Sequence, residues 1–230
     1  MKSIRKLIMG FVAVLAVVSI HPTQAWAQNS ADEKRQFGSE AGKIVLEGQR
    51  LQSEDKYEAA VNKLSEALSL DGLSPYERSI IYQMQGSCFY ELNQYALSID
   101  AFEKALVANG LNDRQSRALE FNIAQLLIAN EQFEKGALLI EKWHRDGGVF
   151  KKGHLEMLWQ AWAQAGKYNR ALPWAERWFD GAGTKSRKHF NTLNFLYNTL
   201  DMRQKQIGII EQMIEQWPED KTLKDALVSF

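Results

Sequence analysis

Tyr82-x2-Gln85-Gly86-x2-Phe89, followed by Tyr95 and then Ser98-x3-Phe102-x2-Ala105, is the stretch that decides the fold. It restates a line already written at Ile44-x2-Glu47-Gly48-x2-Leu51, Tyr57 and Ala60-x3-Leu64-x2-Ala67. Both lines set apolar side chains three and four residues apart, a spacing that gathers them into one buried stripe of an α-helix. Gly48 and Gly86 fall where the two helices of a hairpin cross, and a residue without a side chain lets them approach closely.

The aromatic that opens each second helix recurs at Tyr57, Tyr95, Phe133 and Tyr168, with Met202 in fifth place, at spacings of 38, 38, 35 and 34 residues. The two longer spacings coincide with matching linkers, Gly72-Leu73-Ser74-Pro75 and Gly110-Leu111-Asn112-Asp113. Ser74-x-x-Glu77 reads as a capping box with Pro75 in the first helical position, and Asn112-x-x-Gln115 as its weaker echo. Five helix pairs are expected, near 40–71, 76–109, 114–146, 152–180 and 186–216, with a short closing helix after Pro218. The later pairs depart from the pattern. Ala124 replaces the glycine, Gly136 replaces the alanine, and Trp159 stands at a crossing. The fifth pair rests on its position and on Phe190, Leu193, Leu196 and Leu200.

These lines resemble the tetratricopeptide repeat, W-x2-L-G-x2-Y then A-x3-F, with Ile44 and Tyr82 in place of its tryptophan. The resemblance implies an all-α, tetratricopeptide-type helical-hairpin solenoid of about five repeats, its C-terminal half degenerate. On this reading residues 39–217 form the solenoid and 218–230 a capping helix.

The N-terminus reads differently. Lys2, Arg5 and Lys6 precede an apolar run from Leu7 to Ile20, and Ala25-Trp26-Ala27 is a small-x-small cleavage site, so residues 1–27 are expected to be a signal peptide. The apolar run spans roughly 21 Å as helix, short of the roughly 30 Å a membrane core requires. No cysteine stands immediately after the cleavage site to carry a lipid. Residues 28–38 are polar and expected to be flexible. A periplasmic location in a Gram-negative bacterium, without a stable membrane anchor after cleavage, is the expectation.

Without its leader the chain carries 25 basic and 28 acidic residues, a net charge near −3 that gives no reason to expect nucleic acid as a partner. Cys88 is the only cysteine, so no internal disulfide can form. No catalytic constellation is legible. His144, His154 and His189 fall in different hairpins without metal-ligand spacing, Cys88 has no histidine beside it in sequence, and Gly147-Gly148 lacks the context of a phosphate-binding loop. The expectation is therefore a protein that is not an enzyme and needs neither cofactor nor metal.

Two readings stay open for Trp143, Trp159, Trp162, Trp174, Trp178 and Trp217, all in the second half of the chain. They fill wider gaps between irregular hairpins, or they form a patch that grips a partner. A third signal lies on the first helices, which stacked hairpins expose along a groove. The residue after each crossing position is Gln49, Ser87, Gln125, Gln160 and Asn194. Gln83, Phe121 and Phe190 lie one turn before these, and Tyr90, Ile128 and Tyr197 one turn after. An amide both donates and accepts, so such a ladder can pair with an extended backbone while aromatics hold its side chains. A chance distribution of polar residues on a solvated face is the competing account. Apart from Arg187 the face lacks cations, which points to a neutral or weakly basic segment rather than an acidic one.

A narrower resemblance follows from Arg170-Ala-Leu-Pro-Trp-Ala-Glu-Arg-Trp-Phe179, Arg187-Lys-His-Phe190 and Leu193-Asn-Phe-Leu-Tyr197. These segments are similar to periplasmic tetratricopeptide proteins that accompany TonB-type energy-transduction systems. The resemblance implies an adaptor for a TonB–ExbB–ExbD complex that serves outer-membrane uptake. The alternative is a scaffold or chaperone factor for envelope or cell-wall assembly.

Overall fold

The computed structural model describes residues 36–151 and 153–230. The expected leader at residues 1–27 lies outside the described residues. So does the segment 28–35. Eleven α-helices and no strand run through the described residues. They fall into two compact units, one reaching to Gln132 and one spanning Phe133–Phe230.

The first unit holds α1 (Ser39–Ser53), α2 (Tyr57–Leu68), α3 (Pro75–Glu91), α4 (Tyr95–Val107) and α5 (Asp113–Ala129), each packed on the next. Ala60, Leu64 and Ala67, which the repeat marks, form a core cluster with Val45, Ile81 and Cys88, which stand one residue from marked positions. At the second crossing Ser98 Oγ donates to the carbonyl of Gly86 at 2.7 Å. A Cβ on Gly86 would stand 2.4 Å from the Phe102 ring, so the glycine is required by close approach. Phe37 packs on Tyr76 at 6.0 Å between ring centroids, and the Gly38 N–H donates to Glu77 Oε1 at 2.8 Å. The end of the polar segment expected to be flexible is thus tied to the start of α3.

Both linkers carry a full capping box, the one at Asn112 included. Their glycines do different work. Gly72 takes a left-handed φ of 77°. Gly110 does not; a Cβ there would stand 2.2 Å from the carbonyl oxygen of Pro75, so it is small because backbone lies against it.

The five hairpin turns share one geometry. Asp55, Asn93, Glu131, Gly166 and Asp201 all have φ between 54° and 71°. In each, the next N–H donates to a carbonyl five residues back, as in Gln94 to Phe89 at 2.8 Å and Met202 to Tyr197 at 2.8 Å. This is the Schellman close of a helix. It also corrects the fifth repeat. The left-handed residue stands two before Tyr57, Tyr95, Phe133 and Tyr168, and Asp201 stands two before Arg203. Arg203, not Met202, is the counterpart of Tyr57, and Met202 occupies the cap before α10.

The second unit holds α6 (Phe133–Arg145), α7 (His154–Gln164), α8 (Tyr168–Asp180), α9 (Arg187–Thr199), α10 (Arg203–Gln216) and α11 (Lys221–Val228), again packed in sequence order. Trp159, at the crossing position, meets Trp178 of its own hairpin at 5.6 Å, where the second hairpin sets Gly86 against Phe102. Gly148 lets the following loop close on Trp143, whose ring a Cβ would meet at 2.3 Å. Pro173 is the sixth residue of α8, beyond its first turn, so the Asn169 carbonyl has no amide N–H four residues on to accept from.

Candidate protein-binding site

In the first unit α1 and α3 lie side by side. The Gln52 amide reaches across to donate to the Met84 carbonyl at 3.2 Å and to Cys88 Sγ at 3.1 Å. Nothing in the repeat pattern marks out Gln52, because a lone amide on a helix carries no sign of its partner. Gln49, one turn before it, is half-buried, and so are Gln83, Ser87, Tyr90 and Phe121. Ser87 Oγ returns to the Gln83 carbonyl at 3.1 Å and so is committed to its own helix. Among the described residues no hydrogen bond engages the side-chain amides of Gln49, Gln83 or Gln125. Tyr90 packs on Tyr95 at 5.9 Å, and burial raises its hydroxyl above the ordinary tyrosine range.

Two of the expected residues sit deeper than the solvated face required. Gln125 is 8% exposed and Ile128 5%, because α5 is apolar from Ile123 to Ile128. Gln85, next to the Gly86 crossing, is also buried, and its amide donates to Ser65 Oγ at 2.8 Å.

In the second unit the amide ladder is already spent. Gln160 donates to Glu156 at 3.3 Å, and Asn194 accepts from Gln206 at 3.2 Å. Tyr197 is 8% exposed and donates to Glu176 Oε1 at 3.0 Å, with Lys205 on the same oxygen at 2.8 Å. Arg187, the one cation of that face, pairs with Asp220 and lies over the Trp217 ring. These side chains bind one another, so the face they share offers less to a partner than the face of the first unit.

The tryptophans divide likewise. Trp162 is fully buried and Trp143 nearly so, which is the gap-filling role. Glu141 is what holds this cluster, a residue that no motif in the sequence marks out. Its carboxylate accepts from Trp162 Nε1 at 2.8 Å and Trp174 Nε1 at 2.9 Å, and Arg170 pairs with it at 2.7 Å. Trp159, Trp174, Trp178 and Trp217 are only half-buried.

The structure brings two histidines to one ring. His144 stacks on Phe150 at 4.0 Å between centroids, and His154 meets the same ring edge-on at 6.2 Å. His189 lies apart, stacked on Trp178 at 4.1 Å. Among the described residues no group of three or more metal-ligating side chains comes together. Cys88 is buried, and burial pushes its thiol up to about 11, which disfavours the nucleophilic thiolate.

No protein-family model and no curated protein matches the chain. Solved structures do. YrrB, described as a tetratricopeptide protein with an unusual peptide-binding site, is 18% identical, covering 87% of this chain and 98% of its own, with a TM-score of 0.55. MamA from Desulfovibrio magneticus RS-1 is 14% identical over 80% of this chain and 99% of its own, with a TM-score of 0.54. A tetratricopeptide repeat protein from Parabacteroides merdae is 14% identical over 84% of this chain and 72% of its own, with a TM-score of 0.55. The fold is that of the tetratricopeptide helical-hairpin solenoids.

Proposed function

We propose that this protein is a protein–protein interaction scaffold that holds a neutral or weakly basic extended segment against the first-helix face of its N-terminal unit. The observation that carries the reading is the pair of half-buried amides at Gln49 and Gln83, which no other described residue engages, beside the half-buried Tyr90 and Phe121. Amides free of internal partners can pair with both the N–H and C=O groups of an extended backbone. The peptide-binding site named for YrrB agrees with such a role on this fold.

The finer reading is a periplasmic adaptor for a TonB–ExbB–ExbD system. Its support is the leader-like sequence of residues 1–27 and the resemblance of the Arg170–Phe179 and Arg187–Tyr197 segments to the accompanying tetratricopeptide proteins.

The experiment is photocrosslinking in intact cells from positions 49 and 83, with Val107, 83% exposed on α4, as the control position. Crosslinks to a TonB, ExbB or ExbD component from 49 and 83 but not 107 are expected. Crosslinks to wall-synthesis enzymes would select the envelope-assembly scaffold instead. An identical pattern from all three positions would remove the first-helix face as the docking surface.

A further inference from the structure

Arg177 on α8 lies with its guanidinium carbon 5.0 Å from the ring centre of Trp174 and 5.9 Å from that of Phe150. Those rings meet edge to face at 5.6 Å, and His144 stacks on Phe150 at 4.0 Å. The platform is held from below. Trp174 donates to Glu141, and His144 Nδ1 is 2.8 Å from the Gly148 carbonyl.

Four of the other cations on rings in this unit are paired with a carboxylate. Arg170 has Trp162 and Glu141, Arg187 has Trp217 and Asp220, Lys188 has Trp178 and Glu156, and Lys205 has Tyr197 and Glu176. Lys185 and Arg203 have none among the described residues, but each sits over a single ring. Arg177 has two rings, is exposed, and makes no ion pair among the described residues. Of the acids in the neighbouring sequence, Glu141 is used by Arg170 and the two indoles, Asp146 pairs with Lys142 at 2.9 Å, and Asp180 makes no pair with Arg177. Arg145, beside His144, and Lys151, beside Phe150, are exposed and likewise without ion pairs among the described residues. Val149, between them in sequence, is 77% exposed. Residues 133–188 carry eleven basic and six acidic side chains, against eight and fourteen over residues 36–132.

We propose that this platform docks an acidic protein segment, one carboxylate of which takes the free edge of the Arg177 guanidinium while Arg145 and Lys151 draw its neighbours and an apolar side chain covers Val149. A guanidinium fork matches one carboxylate in bidentate fashion, and a ring beneath it fixes its plane without consuming its donors. A protein segment is favoured over a polyanion because the cations are few and the mature chain is net acidic, which opposes long-range attraction of a polyanion. The site lies on second helices and the loop after α6, so it is independent of the first-helix face and takes an occupant of opposite chemistry.

The test uses the full mature chain and a fluorescein-labelled peptide, Ser-Glu-Leu-Glu-Glu-Leu-Glu-Ser, with a counterpart in which every Glu is Gln. Fluorescence anisotropy should show the Glu peptide binding, with added salt weakening it. Arg177→Gln in the protein should weaken binding about tenfold or more, the loss of one charge-assisted pair, and replacement of every peptide acid by Gln should weaken it at least as much. Arg177→Lys should fall between, with circular dichroism unchanged, which keeps the test valid should Arg177→Gln disturb folding. Gln83→Glu should leave this binding as it was. Equal binding of the two peptides, or an Arg177→Lys protein that binds as wild type does, overturns the proposal. So does Arg177-dependent binding to phosphatidylglycerol-containing vesicles with no binding of the peptide.

Discussion

Gly86 and Phe102 are in contact so close that a single added methyl would overlap the ring, at 2.4 Å from Cδ1. Gly48, its counterpart one repeat earlier, leaves 3.0 Å to the end of the Leu64 side chain. The two glycines therefore respond differently to the same substitution. Gly86→Ala is expected to lower stability by about 1–3 kcal/mol through overpacking against a ring fixed between helices. Gly48→Ala should be near neutral, because Leu64 can shift by a few tenths of an ångström and alanine contributes about 1 kcal/mol of helix propensity. Thermal melts of the two variants test this, and equal shifts would show that the crossings are not packed as described.

Glu131 closes α5 at φ 60°, a conformation that costs a side-chain-bearing residue roughly 1–2 kcal/mol. It is exposed, and its turn is equivalent to the one Gly166 makes. Glu131→Gly should raise stability by up to about 1 kcal/mol once the entropy of the added glycine is set against the strain relieved. A lower melting temperature would mean that the Glu131 side chain contributes more than its backbone costs.

Glu141 gathers two indole N–H groups and one guanidinium. Glu141→Ala leaves Trp162 Nε1, in a fully buried ring, without its acceptor, and should cost roughly 1.5–3 kcal/mol. Tryptophan fluorescence should change with it. Denaturant unfolding followed by that fluorescence provides the measurement, and Glu141→Gln, which keeps one acceptor, should cost less.

His189 fills the third position of the capping box at Ser186, its Nδ1 accepting from the Ser186 N–H at 3.1 Å. That role requires an unprotonated Nδ1. Burial, with help from Lys188 and Lys185 and against Glu156, holds this imidazole below its ordinary value. A folded-state value below the unfolded one means that the unfolded chain binds the proton more readily. The stability His189 contributes is then present above about pH 6.5 and lost as pH falls through and below that value. His154, held low by burial and Lys151, acts in the same direction. Melts at pH 7.5 and 5.5 should show a smaller acid-induced drop in His189→Gln than in wild type, and an equal drop would exclude His189 from the effect.

Gln49→Glu together with Gln83→Glu should weaken capture of whatever partner crosslinks from those positions, since a carboxylate cannot donate to a backbone carbonyl. Helical circular dichroism should stay as in wild type, because both residues are half-buried and neither amide has an internal partner. Undiminished capture would reject the amide face.

The repeat, its hairpins and their capping boxes were legible in the sequence because they are local. Helical spacing, a small residue at a crossing and an acceptor three residues before a backbone N–H all lie within one or two turns of chain. The fifth repeat is the exception: Arg203 stands where the other repeats carry an aromatic, and the left-handed residue at Asp201 is what marks the position. The candidate face was less legible. Its polar residues could be placed on first helices by period, but whether an amide is free depends on what another helix brings to it. Gln206 from α10 occupies Asn194, and Gln52 was needed to join α1 to α3.

The sequence by itself determined that this chain forms tetratricopeptide-type hairpins, since periodic burial within each hairpin is written residue by residue. The tertiary structure alone decided which charges are spent and which remain. Glu141 is separated from Arg170 by 29 residues and from Trp174 by 33, while Arg177, three residues beyond that tryptophan, pairs with no carboxylate among the described residues. A pair such as Lys142 with Asp146 can be read from a four-residue spacing along one helix, but a pair between helices depends on a few ångströms between side chains far apart in sequence, which no such spacing encodes.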